Sequence, residues 1–185
     1  MNVDLAKAVV GLKNGKTLLY PTDTIWGLGC DATNEDAINQ ISEIKNRPKE
    51  KSFIVLVNNV AMLERYVSEF PEVCYDLIDL AEKPLTIIYD KPIGFPKSLL
   101  AEDGSIGIRV TQDPICSRLI QGLRKPLLST SANISGEDNP ISFSDISDEI
   151  KTKVDLILQE RLNERMGKPS SIIKISSDNS VKVIR

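Results

Sequence analysis

Short apolar runs that suit strands alternate with amphipathic stretches that suit helices along the whole of this 185-residue chain. Residues 17–20, 53–57, Leu85–Tyr89, 105–110, 126–128, 154–158, Ser171–Ile175 and 181–184 read as strands. Between them, the 3.6-residue spacing of apolar positions predicts helices over 3–14, 34–44, 61–67, 71–82, 113–122 and 145–150. Strands separated by helices cannot all be joined as hairpins, so the pattern implies one α/β layer fold with a mixed, twisted sheet. No repeat, low-complexity tract or linker interrupts it, and a single domain over 1–185 is expected.

Helix boundaries carry their own chemistry. Thr33 or Asn34 can cap the second helix, with Glu35 and Asp36 in the first turn, where the dipole favours acids. Ala37, Ile38, Ile41 and Ile44 form its apolar stripe. The helix then delivers Lys45-Asn46-Arg47-Pro48-Lys49-Glu50-Lys51-Ser52, four cations in seven positions of a chain whose net charge is -3. Pro48 stops the helix, so the cations fall on a turn before the 53–57 strand. Such a turn is either a solvated basic corner or one wall of a polyanion site.

Two further stretches are dense in small polar groups. Residues 21–32, PTDTIWGLGCDA, combine threonine hydroxyls, an acid, Trp26 and two glycines, and read as a loop. They match neither a dinucleotide fingerprint nor a P-loop. Trp26 and Leu28 are either core anchors or walls of a site. Residues 129–136, STSANISG, are either a capped turn or an anion cradle. Residues 159–168 carry charges of both signs and read as a mobile surface loop.

Composition narrows the chemistry. The chain has no histidine, which removes the commonest general base, the Ser-His and Cys-His pairs, and the commonest transition-metal ligand. Cys30, Cys74 and Cys116 are far apart and lack CxxC spacing, so they are expected to be buried thiols rather than a disulfide or zinc framework. No apolar run approaches the ~20 residues that span a bilayer, and the N-terminus lacks a signal pattern. A cytoplasmic protein with no membrane contact is expected.

Four motifs in order, PTDTIWGLGCDA (21–32), KNRPKEKS (45–52), SIGIRV (105–110) and STSANISG (129–136), resemble the YrdC/Sua5 family of threonylcarbamoyl-AMP synthases. The closing PSSIIKI and VKVIR resemble that family's last strands. The resemblance implies a short single-domain form without the extra C-terminal domain of longer members, and a twisted mixed sheet with flanking helices around a deep basic cleft. It implies L-threonylcarbamoyl-AMP and pyrophosphate made from L-threonine, bicarbonate and ATP with magnesium, the metal held mainly by the ATP phosphates. The product would pass to downstream proteins that transfer the threonylcarbamoyl group to tRNA.

By the same resemblance, Lys45, Arg47, Ser131 and Asn133 form the catalytic set around the ATP phosphates and the carbamate. Lys49, Ser105, Asn139 and Arg185 join Lys45 and Ser131 at ATP, while Thr22, Arg109, Ser129 and Ser171 hold threonine. Trp26 stands where a tyrosine is usual, and 159–168 replaces a glycine-rich stretch. Two other readings stay open: a double-stranded RNA or tRNA-binding module using the basic face, and a paralogue acting on another carbamoyl acceptor.

Overall fold

The computed structural model describes residues 1–46, 53–176 and 180–185. In chain order the first half comprises β1 (Asn2–Val3), α1 (Leu5–Lys13), β2 (Leu18–Tyr20), β3 (Gly27–Asp31), α2 (Glu35–Ile44), β4 (Ile54–Val57), α3 (Val60–Leu63) and α4 (Val73–Asp79). The second half comprises β5 (Leu85–Tyr89), β6 (Ile106–Val110), α5 (Pro114–Leu123), β7 (Leu127–Ser131), α6 (Asp148–Lys153), β8 (Leu156–Leu158), β9 (Ser171–Ile175) and β10 (Val181–Val183). The described strands form one sheet in the order β1-β8-β2-β3-β7-β4-β6-β5-β9-β10. Antiparallel pairs such as β3–β7 and β5–β6 mix with parallel pairs such as β4–β6 and β5–β9. The mixed α/β sheet expected from the sequence is therefore what forms.

Helix α2 shows why the local pattern was informative. Asn34 caps it by accepting from the Ala37 amide, Glu35 and Asp36 sit in the first turn, and Ala37, Ile38, Ile41 and Ile44 are buried. Each buried isoleucine contributes about 1.5–3 kcal/mol relative to exposure. Asn34→Ala is expected to cost about 1 kcal/mol, read as a lower midpoint in urea with an unchanged slope. Helix α5 is built alike: Asp113 accepts from the Ile115 and Cys116 amides, and Pro114 opens the first turn.

The largest departure is β3. Its sequence, Gly-Leu-Gly-Cys-Asp, reads as loop, yet all five residues are buried at the centre of the sheet. The glycines answer to the neighbouring chain rather than to a turn. A Cβ on Gly29 would lie 2.3 Å from the Leu128 carbonyl oxygen and 2.8 Å from the Tyr20 ring, which is wholly buried. Strand β7 likewise runs on through Ser131, so the Ser-Thr-Ser run is strand rather than turn and pairs with Gly27–Gly29. The β1 strand, absent from the sequence reading, pairs with β8.

Residues 159–168 are not a free surface loop. Arg161 donates to Asp113 at 2.6 Å, the Met166 amide donates to the Ile141 carbonyl at 2.6 Å, and Leu162 and Met166 pack on the core. Cys30, Cys74 and Cys116 are buried free thiols as expected. Burial pushes the Cys74 thiol up to about 11 and raises Cys30 and Cys116 as well. The thiolate is the reactive form, so near pH ~8 iodoacetamide should leave all three unmodified while a free cysteine, pKa about 8.5, reacts. Intact-mass measurement, native against urea-unfolded, checks this.

Candidate functional site

Alternation along the central strands places a set of small and polar side chains on one face. Thr86 and Ile88 of β5, Gly107 and Arg109 of β6, Ile54 of β4 and Gly27 of β3 share a cleft of about 300 Å³ with Ser129, Thr130 and Ser131 of β7. The intervening Ile87, Ile106 and Ile108 are buried in the core. Gly107 lowers the floor: a Cβ there would come within 3.2 Å of the Thr86 methyl. Pro169, Ser170 and Ile172 close one side, with Arg185 and Asn139 at the rim.

Arg109 is the charged centre of this cleft and is only 4% exposed. One terminal nitrogen lies 3.2 Å from Asp23 Oδ1, and the other donates to Thr24 Oγ1 at 3.3 Å. Its Nε, also buried, has no hydrogen-bond partner among the described residues. Thr22 Oγ1 accepts from the Thr24 and Ile25 amides at 3.0 and 3.2 Å, folding the 21–25 turn so that Thr22 and Thr24 both face the cleft. Opposite, Thr86 Oγ1 and Ser170 Oγ are 2.8 Å apart, and Arg185 Nε donates to the Ser170 carbonyl at 3.2 Å.

Among the described lining residues, Arg109 and Arg185 supply two guanidinium groups and no lining side chain is a carboxylate. The acid Asp23 stands on Arg109. A cleft with fixed cations, aligned hydroxyls and low-dielectric walls suits a ligand with a carboxylate or phosphates, because Coulomb attraction at ~4 Å rises from about 1 kcal/mol in water to about 4 near a protein surface.

The expected site residues divide clearly. Thr22, Arg109, Ser129, Ser131, Asn139 and Arg185 line the cleft together. Arg47 and Lys49 lie outside the described residues. Ser171 is a correction: strand alternation turns Ser170 and Ile172 to the cleft and leaves Ser171 exposed, so the serine of the wall is Ser170. Ser105 is buried beside the site rather than lining it, and its hydroxyl donates to Asp103 at 2.6 Å. Together with Lys174, that bond holds the Asp103 carboxyl well below the usual range. Asn133 spends its amide on the Glu137 carbonyl at 2.5 Å. The Lys45 side chain is buried, and its ammonium donates to the backbone carbonyls of Ser131 and Asn133 instead of facing the cleft.

Four residues that sequence reasoning passed over belong to this site: Asp23, Thr24, Thr86 and Ser170. Asp23 and Thr24 were within reach, since an acid and a second hydroxyl stand in the same four-residue turn as Thr22. Thr86 and Ser170 were not, because their meeting depends on the β5–β9 pairing across 84 residues. Trp26 takes the core-anchor role, fully buried with its ring centroid 5.2 Å from that of Phe143.

Fold and cleft together define an α/β protein whose cleft, built around a buried arginine, suits an anionic ligand. The family model described as "Telomere recombination", the Sua5/YciO/YrdC model, matches residues 11–185. A threonylcarbamoyl-AMP synthase of Pseudoalteromonas translucida is 32% identical over 171 residues, covering 91% of each chain. A putative threonylcarbamoyl-AMP synthase of Methanocaldococcus jannaschii is 35% identical, covering 92% of this chain and 79% of the relative. P. abyssi Sua5 complexed with L-threonine superimposes with a TM-score of 0.90 at 26% identity, covering all of this chain. This chain spans only 56% of that Sua5 chain, but 92% of E. coli YciO, which superimposes at 0.84. The chain belongs to the Sua5/YciO/YrdC family.

Proposed function

We propose that this protein is an L-threonylcarbamoyladenylate synthase, joining L-threonine, bicarbonate and ATP to give threonylcarbamoyl-AMP, pyrophosphate and water for tRNA modification in the cytoplasm. The observation that carries the reading is Arg109, buried beneath the cleft with Thr22, Thr24 and Ser129 around it. A guanidinium set this way suits bidentate capture of an α-carboxylate, and the hydroxyls suit a small hydroxy amino acid. Family membership and the synthase relatives support the same substrate class.

In the reaction, the threonine amine bonds to the bicarbonate carbon as a C–O bond breaks, the departing hydroxyl leaving with the amine proton as water. Carbon dioxide, already dehydrated, is added to directly with loss of the proton. A carbamate oxygen then bonds to the α-phosphorus as the bond to the pyrophosphate oxygen breaks. Two anions must meet while charge builds on the leaving group, so the demand is for fixed positive charge and aimed donors, not for a histidine base. Arg109 anchors the amino acid, while Arg185, Ser131 and Asn139 stand on the nucleotide side. Among the described residues no cluster of acids or cysteines has metal-binding spacing, and magnesium enters as part of the nucleotide substrate, on the phosphates.

Pyrophosphate release measured with ATP, magnesium, bicarbonate and each amino acid in turn tests the reading. Release that requires threonine is expected; nucleotide binding without turnover, together with tight binding of double-stranded RNA, would replace the synthase by an RNA-binding module. Asp23→Asn keeps the shape of the Arg109 partner but removes its charge. It is expected to raise the threonine KM about tenfold with kcat altered less, the pattern of lost ground-state positioning.

A further inference from the structure

We propose that Lys45 is a positioning residue, a buried cationic strut that shapes the segment after β7 so that Ser131 is presented to the cleft. Its described contacts are internal. The side chain is 1% exposed, and the ammonium donates to the carbonyls of Ser131 and Asn133, the latter at 2.5 Å, with Asn133 Oδ1 at 3.4 Å. The main chain of the same residue grips the same segment, because the Lys45 carbonyl accepts from the Ser135 amide at 2.9 Å.

Carbonyls two residues apart in a strand point the same way but stand about 6.6 Å apart, too far for one ammonium to reach both closely. Here both converge on one ammonium, which curls the chain as it leaves β7. Ser131, the last residue of the strand, stays on the cleft wall, while Asn133 is turned onto the Glu137 carbonyl. Lys45 also stands at the C-terminal cap of α2, where its amide bonds the Ile41 carbonyl and a positive charge suits the helix dipole. An ammonium has only three protons to give. Among its described contacts two go to the backbone carbonyls of Ser131 and Asn133, and through these the positive charge fixes backbone geometry.

A strut and a phosphate ligand respond differently to chemistry at the amine. Acetylation of the full-length protein by acetic anhydride, located by peptide mass spectrometry, should leave Lys45 unmodified both with and without ATP, while surface lysines react. Lys45 acetylated in the free protein and protected only by ATP would overturn the proposal. The kinetic arm rests on the synthase reading. Lys45→Met and Lys45→Arg should each lower kcat by about 10²-fold, because an arginine fork restores the charge but not the fit to two carbonyls. Arg restoring activity to within about threefold of the parent would identify a phosphate ligand and overturn the strut.

A double-mutant cycle asks whether Lys45 acts through Ser131. Lys45→Met combined with Ser131→Ala should be no slower than the slower single variant, and multiplied losses would contradict it. Should the parent protein show no threonine-dependent turnover, the synthase reading fails while the acetylation pattern still decides the strut. The same pattern decides it if the Lys45 variants do not fold.

Discussion

Replacing Arg109 with methionine is expected to lower kcat/KM for threonine by about 10²–10³-fold while leaving the KM for ATP within about threefold. The guanidinium sits under the cleft floor at 4% exposure, so a carboxylate meeting it does so in a dry, prearranged setting. Truncation removes that partner and strands Asp23, which the same guanidinium holds at 3.2 Å. Asp23 keeps 25% of its side chain exposed, so solvent recovers part of the lost pairing and the stability cost stays near 1–2 kcal/mol rather than the 3–5 of a fully buried broken pair. The two effects separate experimentally: a melt reports the second, initial rates against threonine and against ATP report the first. An equal rise in both KM values would place Arg109 at no particular substrate.

Gly29→Ala carries the largest expected loss of stability. The added methyl would stand 2.3 Å from the Leu128 carbonyl and 2.8 Å from the Tyr20 ring. Neither can move cheaply: the carbonyl belongs to the neighbouring central strand, and the ring is fully buried. Overpacking against backbone costs about 3 kcal/mol or more, which for a chain of this size lowers Tm by roughly 6–12 °C. Gly104→Ala is the control. Its φ of +78° makes any side chain strained, but a Cβ there meets nothing within 4 Å, so about 1–2 kcal/mol is expected. If the two variants melt together, the crossing of Tyr20 beneath β3 is not what requires glycine at position 29.

These two residues also mark how far the sequence was readable. Arg109 was legible, because the alternation of 105–110 sets it on the opposite face from Ile106 and Ile108 and the motif resemblance gave it a task. Helix α2 was legible from its cap to Ile44, since capping, first-turn acids and the apolar stripe all act within eleven residues. Gly29 was not, because loop and central strand call for glycine for different reasons, and the second depends on Tyr20 and Leu128 lying alongside. Ser171 slipped by one position for the related reason that a strand's faces are set by its partner's register. Lys45 shows a third case: its sequence context advertises charge, whereas its contacts use that charge on backbone carbonyls 86 and 88 residues away.

Cleft and arginine have chemical meaning only if a carbon from bicarbonate ends up between threonine and AMP. Supplying ¹³C-bicarbonate with threonine, ATP and magnesium, quenching early and recording the mass of the nucleotide product tests that step directly. An AMP adduct that contains both threonine and the label, formed about a hundredfold or more slowly by Arg109→Met at the same subsaturating threonine concentration, is expected. AMP or ADP formed without an adduct, or an adduct that carries no label, would contradict it.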